Sequence, residues 1–216
     1  MLLLLIPQGP AVTPIDAGEV IDQLLPYLGA YQAANLNFWT EDELFAFADE
    51  GLKRFASRIG GFVEHNDDEA LVDGTAAYSL PTRHLSTIYV AAGDVTIYPT
   101  TRQGLDARDS DWTNTADDAP TNFFQDNETQ IRVYPKPNSV TTGDIGIIHH
   151  QYPAAVDGSS PSVTAPAPFA EYLMWYTLSE ARGKESDGAM PEVSKFFAGM
   201  VDLFESIARE YWGQAQ

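Results

Sequence analysis

Apolar positions recur every three or four residues near both ends of the chain and alternate through its middle. That change of period predicts helices on either side of a β-region. Thr13-Pro14 is placed to open a short first helix, with threonine as cap and proline in the first turn. Val20, Ile21, Leu24 and Leu25 give it an apolar side before Pro26 interrupts it. Thr40-Glu41-Asp42-Glu43 fits a capping box, the threonine oxygen taking the Glu43 amide and the Glu43 carboxylate reaching back. Leu44, Phe47 or Ala48, Leu52, Phe55 and Ile59 then follow at helical spacing. Acids fill the first turn, and Lys53, Arg54 and Arg58 the last, as the macrodipole favours. Gly60-Gly61 ends the helix.

Short strand-like runs come next, several closed by proline: Tyr78-Ser79-Leu80-Pro81, Ile88-Tyr89-Val90 and Val95-Thr96-Ile97-Tyr98-Pro99. Gly93-Asp94 between alternating runs signals a two-residue hairpin. Gln130–Tyr134 and Ile145–Tyr152 read as a second hairpin, with Gly143-Asp144 in the connection. Between the two hairpins, residues 100–128 form a polar excursion anchored by Trp112, Phe123 and Phe124. Residues 153–168, rich in Pro, Ser and Ala, read as an extended return outside the core.

Phe169, Tyr172, Leu173 and Tyr176 mark a helix ending near Gly183, and Pro191 opens the last one. Its Val193, Phe197, Met200, Phe204, Ile207 and Tyr211 alternate by four and three, a heptad-like seam. The seam suits either the chain's own helices or a neighbouring subunit. The expected fold class is therefore α+β: a helical bundle from residues 13–62 and 166–213, with an inserted antiparallel β-rich region at 70–155. Residues 1–12 form an N-terminal arm.

Composition narrows the chemistry. There are no cysteines, which removes disulfides, thiol nucleophiles and cysteine-ligated metals. Twelve Lys and Arg stand against 31 Asp and Glu, and the formal charge is −19. Such a chain does not grip nucleic acid, since that affinity comes from phosphate neutralisation. The acidity is explained equally well by solubility alone or by a need for DNA to pass nearby without sticking. The run Met1-Leu2-Leu3-Leu4-Leu5-Ile6 is too short to span a bilayer and lacks the preceding positive charge of a secretory signal. A soluble protein is expected, its apolar arm frayed, docked on its own chain or adhering to a neighbouring subunit.

No metal site, cofactor or catalytic residue is expected. His149 and His150 are adjacent in a predicted strand and point to opposite faces, so one ion cannot easily take both. Asp106, Asp109, Asp111, Asp117 and Asp118 crowd around Trp112 but lack the turn glycine of a calcium loop. No nucleophile elbow, phosphate-binding loop or dinucleotide fingerprint occurs. The chain is read as not an enzyme.

Taken in order, several landmarks resemble the head-to-tail connector, or portal adaptor, proteins of tailed bacteriophages. They are Trp39-Thr40 with Glu43-Leu44, Tyr78-Ser79-Leu80-Pro81, Ile88-Tyr89-Val90 with Gly93, and Leu105 with Trp112. Pro120 with Phe123, Ile131 with Tyr134-Pro135 and Pro137, Tyr152-Pro153 and the final helix pair complete the series. The apolar N-terminus and the proline-rich return depart from the usual pattern. The resemblance implies a homo-oligomeric ring, commonly a dodecamer, between the portal protein and a tail tube or nozzle protein. It implies a central channel through which double-stranded DNA passes without sequence-specific binding, and the charge of −19 per copy makes an acidic channel wall the expectation. Location in the virion neck is implied, with host cytoplasm during assembly and no membrane.

Tyr211 and Trp212 are the expected portal contact, although Trp212 could equally cap the helices. Trp112, Phe123 and Phe124 are further interface residues. Beside the acidic loop, these three aromatics also suit a different class: a polysaccharide-binding or polysaccharide-cleaving module of a phage tail.

Overall fold

The structure, a computed structural model, describes residues 12–28, 39–60, 62–117, 119–139, 143–158, 160, 162–166, 169–184 and 190–213. The expected N-terminal arm thus lies almost entirely outside the described residues. The chain divides into two units, residues 1–62 with 152–216, and residues 63–151.

The first unit holds strand β1 (Val12–Asp16) and helices α1 (Ala17–Leu28) and α2 (Glu41–Ile59). Its C-terminal part adds β11 (Ser162–Pro166), α4 (Phe169–Gly183) and α5 (Pro191–Gly213). The capping box forms as its spacing predicts: Glu43 N–H donates to Thr40 Oγ1 at 3.2 Å, and Thr40 N–H to Glu43 Oε2 at 3.0 Å. Gly60 ends α2 in the left-handed region that glycine adopts without a Cβ penalty. The bounds of α4 and the start of α5 at Pro191 also agree with the sequence pattern.

The predicted opening of α1 is corrected. Residues 12–16 are a strand antiparallel to β11, with Pro14 opposite Thr164. A residue before proline is pushed towards extended backbone, and Thr13 precedes Pro14. The cap is instead Asp16, whose Oδ1 accepts from Gly18 N–H at 2.8 Å. Pro26 lies within α1, which continues to Leu28. Residues 153–168 are likewise more than a return, because they supply β11 and bury Val156 and Val163.

The second unit is built on one seven-stranded sheet. In chain order its strands are β2 (Val63–Ala70), β3 (Ala77–Ser79), β4 (His84–Ala92), β5 (Val95–Pro99), β7 (Asn122–Asn127), β8 (Gln130–Tyr134) and β10 (Asp144–Gln151). Their spatial order is β2-β10-β4-β5-β7-β8-β3. Helix α3 (Arg102–Arg108) and a small pair, β6 (Ala116–Asp117) with β9 (Lys136–Pro137), complete it. The Gly93-Asp94 turn forms, with Gly93 at φ +58° and Ala92 opposite Val95. One core gathers Tyr78, Val90, Ile97, Phe123, Ile131, Val133, Ile145 and Ile147. Phe124, the next residue along β7, points to the other face and packs with Leu105 and Trp112.

The second predicted hairpin does not occur. β8 pairs with β7 and β3, while β10 runs between β2 and β4. Nor are residues 100–128 a loop. They carry α3, which crosses over so that β7 returns parallel to β5, Tyr98 opposite Asn122. The expected helical bundle with an inserted antiparallel region is therefore overturned. The described chain is five helices with a large mixed sheet, plus the β1–β11 ladder alongside the terminal helices.

Two helix glycines separate packing from propensity. A Cβ on Gly51 would sit 2.8 Å from Cδ1 and 3.0 Å from Cγ of buried Tyr176, whereas one on Gly199 would meet nothing within 4 Å. Gly51→Ala should lower the unfolding free energy by about 1–3 kcal/mol despite the better helix former. Gly199→Ala should raise it by up to about 1 kcal/mol. Urea denaturation of the two variants checks the opposite signs.

Candidate functional site

Helix α4 buries Phe169, Tyr172, Leu173, Tyr176, Leu178 and Ala181, and α1, α2 and α5 pack around it. Phe55 of α2 meets Phe169 edge-on with centroids 4.0 Å apart, and Phe204 of α5 lies 5.5 Å from Tyr172. Over this aromatic layer sits a charged clamp. Arg54 and Arg58, one turn apart on α2, face Asp202 and Glu205, three residues apart on α5. Arg54 Nε donates to Glu205 Oε1 at 2.7 Å, Arg58 Nη1 to Glu205 Oε2 at 2.8 Å, and Arg54 Nη2 to Asp202 Oδ1 at 3.0 Å. Tyr172 OH donates to Glu205 Oε1 at 3.1 Å.

Glu205 is only 2% exposed. Burial pushes its carboxyl up, but the hydrogen bonds and charges of Arg54 and Arg58 outweigh that and hold it below the ordinary glutamate range. Burial, then the nearby Glu205 carboxylate, drives the Tyr172 phenol far upward, so it remains a donor. Tyr176 is pushed up to about 12, chiefly by burial and then by Glu180 and Glu50. A second lock joins α4 to α5: Ser194 Oγ donates to the Ser179 carbonyl at 2.9 Å, and Ser179 Oγ to the Ser194 carbonyl at 3.3 Å.

These locks fix the rotation of α5. Val201, Glu205 and Ala208 turn inward, with Phe204 half-buried beside them. The seam expected from sequence is thereby split. Phe204 serves the interior, while Val193, Phe196, Leu203 and Ile207 emerge on the other side, Phe196 at 63% and Ile207 at 58% exposed. Their spacing of three, seven and four residues, with half-buried Met200 and exposed Gly199 between, makes one continuous stripe.

The second unit has an apolar surface of another shape. The β4–β5 ladder stops at Val90 opposite Ile97, after which β5 pairs with β7 instead. The strands diverge there and leave a groove of about 560 Å³. Ile88, Tyr89 and Tyr98 stand exposed along it, with Ile97 and Phe123 at its base. None of its twelve lining residues is charged.

The residues singled out from sequence fall in different places. Trp112 and Phe124 come together 5.6 Å apart, edge to face, and both are buried. The Trp112 indole N–H donates to Asp106 at 2.6 Å. Neither ring offers a face on which a sugar could stack. Phe123 belongs to the opposite side of the sheet. Asp109 accepts from Thr115 Oγ1, the Asp111 N–H and Tyr134 OH, at 2.7, 3.0 and 3.0 Å, and these bonds hold its carboxyl low. The side chains of Tyr211 and Trp212 lie outside the described residues. His149 is buried and stacks on His84 with centroids 5.4 Å apart; burial, then His149, lowers the His84 imidazole. Among the described residues no cluster of His, Asp or Glu could hold a metal, and no helix is long and apolar enough to cross a membrane.

A family model described as SU10 adaptor protein matches residues 15–216. The chain belongs to the SU10 adaptor protein family. No curated protein matches it. The match agrees with the resemblance to phage head-to-tail adaptors, a structural family of the virion neck whose members interact with other neck proteins. In this adaptor the sequence pattern pointed to the terminal helix pair, but not to the clamp or the groove. The clamp's signal was Arg54/Arg58 facing Asp202/Glu205, hidden among 31 acids.

Replacing Glu205 with glutamine should lower stability by about 2 kcal/mol at pH 7, since it removes both charge pairs from a buried carboxylate. The folded pKa is depressed, so the wild-type advantage is full above about pH 5 and is lost as pH falls through the folded value. Thermal melts from pH 7 to pH 3 should show the two proteins converging as the solution is acidified.

Proposed function

We propose that this adaptor forms a ring, in number of copies a dodecamer, between the portal and the tail of a tailed phage, with an acidic channel through which the genome moves. The family match over residues 15–216 carries the reading. The electrostatics support it. A chain of charge −19 offers little to displace the counterions of DNA. Of its twelve Lys and Arg, at least six (Lys53, Arg54, Arg58, Arg132, Lys184 and Lys195) are already paired with carboxylates among the described residues. A wall built from such subunits guides a polyanion without holding it. The role asks for shape, self-association and contact with a tail tube or nozzle protein on the far side, and no bond need be made or broken. Assembly would take place in the host cytoplasm before the protein is carried in the virion neck.

Electron microscopy of the purified protein mixed with its portal should show a ring stacked coaxially on the portal, its channel wall made of acidic and neutral side chains. A solitary subunit that ignores the portal, or a channel lined with Lys and Arg, would contradict the reading. Removing residues 210–216, which include Tyr211 and Trp212, should leave a folded subunit that no longer binds portal in a pull-down.

A further inference from the structure

We infer that the exposed stripe of α5 on one subunit seats in the β4–β5 groove of the next, and that this contact joins the copies head to tail. The inference rests on the ring reading above and deepens it by naming the two faces. The stripe is a ridge of Val193, Phe196, Leu203 and Ile207 on the first unit, and the groove is a concave surface edged by Ile88, Tyr89 and Tyr98 on the second. They differ in shape, so neither suits its own copy as well as it suits the other. Two unlike surfaces on one chain make a heterologous contact, which closes into a ring when the rotation allows.

The charge pattern selects a second copy as the occupant. A basic or nucleic-acid-like partner would answer to charge, yet the groove lining has no charged residue in a chain of 31 acids. Copies of charge −19 repel one another wherever acids face acids. Their contact must therefore lie where charge is missing, and the stripe and the groove are such places. Gly199 adds an independent observation. Glycine inside a helix is unfavourable relative to alanine, and here a Cβ would meet nothing in its own chain. On the flank of the stripe, between Phe196 and Leu203, it leaves a flat spot where another backbone can come close.

The test pairs two variants at exposed positions. The first carries Phe196→Asp and Ile207→Asp, which spoil the ridge; the second carries Ile88→Asp and Tyr98→Asp, which spoil the groove. Circular dichroism confirms that both fold, and native mass spectrometry follows assembly. The wild type should form closed rings. Each variant alone should be monomeric, with its apparent association weakened about 100-fold or more. Mixed in equal amounts, the variants should form a one-to-one heterodimer and nothing larger, because only one intact ridge meets one intact groove.

Rings from either variant alone would overturn the contact while leaving the ring reading intact. Loss of assembly in the ridge variant only would mean that the stripe pairs with itself or with another surface, and would also overturn it. A wild type that stays monomeric both alone and on the portal would bring down the ring reading itself.

Discussion

A helix buried on nearly every side must be surrounded before it can be stable, and α4 imposes that condition on its unit. Its inward residues lie all round the cylinder, so no single neighbour can cover them. α1, α2 and α5 each take a sector, and the β1–β11 ladder ties the chain beside α1 to the segment that leads into α4. Apolar burial is non-directional, so it brings α5 to α4 without fixing which way α5 is turned. The direction comes from polar groups. Glu205 can be buried only where Arg54, Arg58 and Tyr172 meet it, and the reciprocal Ser179–Ser194 bonds tolerate little rotation.

That fixed rotation leaves half of an apolar helix outside. From Val193 to Ala208 the apolar residues of α5 cover an arc wider than one contact needs. The interior takes Val201, Phe204 and Ala208; the remainder faces out. A three-four spacing in sequence marks an apolar helix side. It does not say where that side divides between the chain's own core and open surface, so a seam that looks like one face in sequence becomes two in the fold.

Local devices were legible for the same reason that they are local. The Thr40–Glu43 capping box, the Gly60 stop and the Gly93-Asp94 hairpin each depend on residues within a few positions of one another. β1 was not legible, because its partner β11 lies some 150 residues further on and the Thr13-Pro14 pair suits a helix start as well as a strand. The mixed character of the sheet is not legible because α3 occupies only Arg102–Arg108, seven residues inside a polar stretch, yet it is the crossover that brings β7 back parallel to β5 where a hairpin would have reversed the chain. Trp112, Phe123 and Phe124 stood out as anchors. The alternation of β7 then sent Phe123 and Phe124 to opposite faces, and the stacking platform that needs all three on one surface is not formed.

The acidity and the two neutral surfaces are complementary solutions to one physical problem. In the proposed ring, a subunit lying beside DNA without binding it gains from negative charge, but the same charge opposes its meeting with copies of itself. Screening at physiological salt limits that repulsion to charges within about 8 Å of each other. Apolar contact acts at the same short range and yields about 1.5–3 kcal/mol for each large side chain fully buried. Three or four such side chains on an uncharged patch therefore outweigh the few acid pairs that contact brings within range. Under the proposed contact, concentrating the charge elsewhere and keeping the stripe and groove neutral would let one sequence satisfy both demands. An evenly acidic surface would have satisfied only the first.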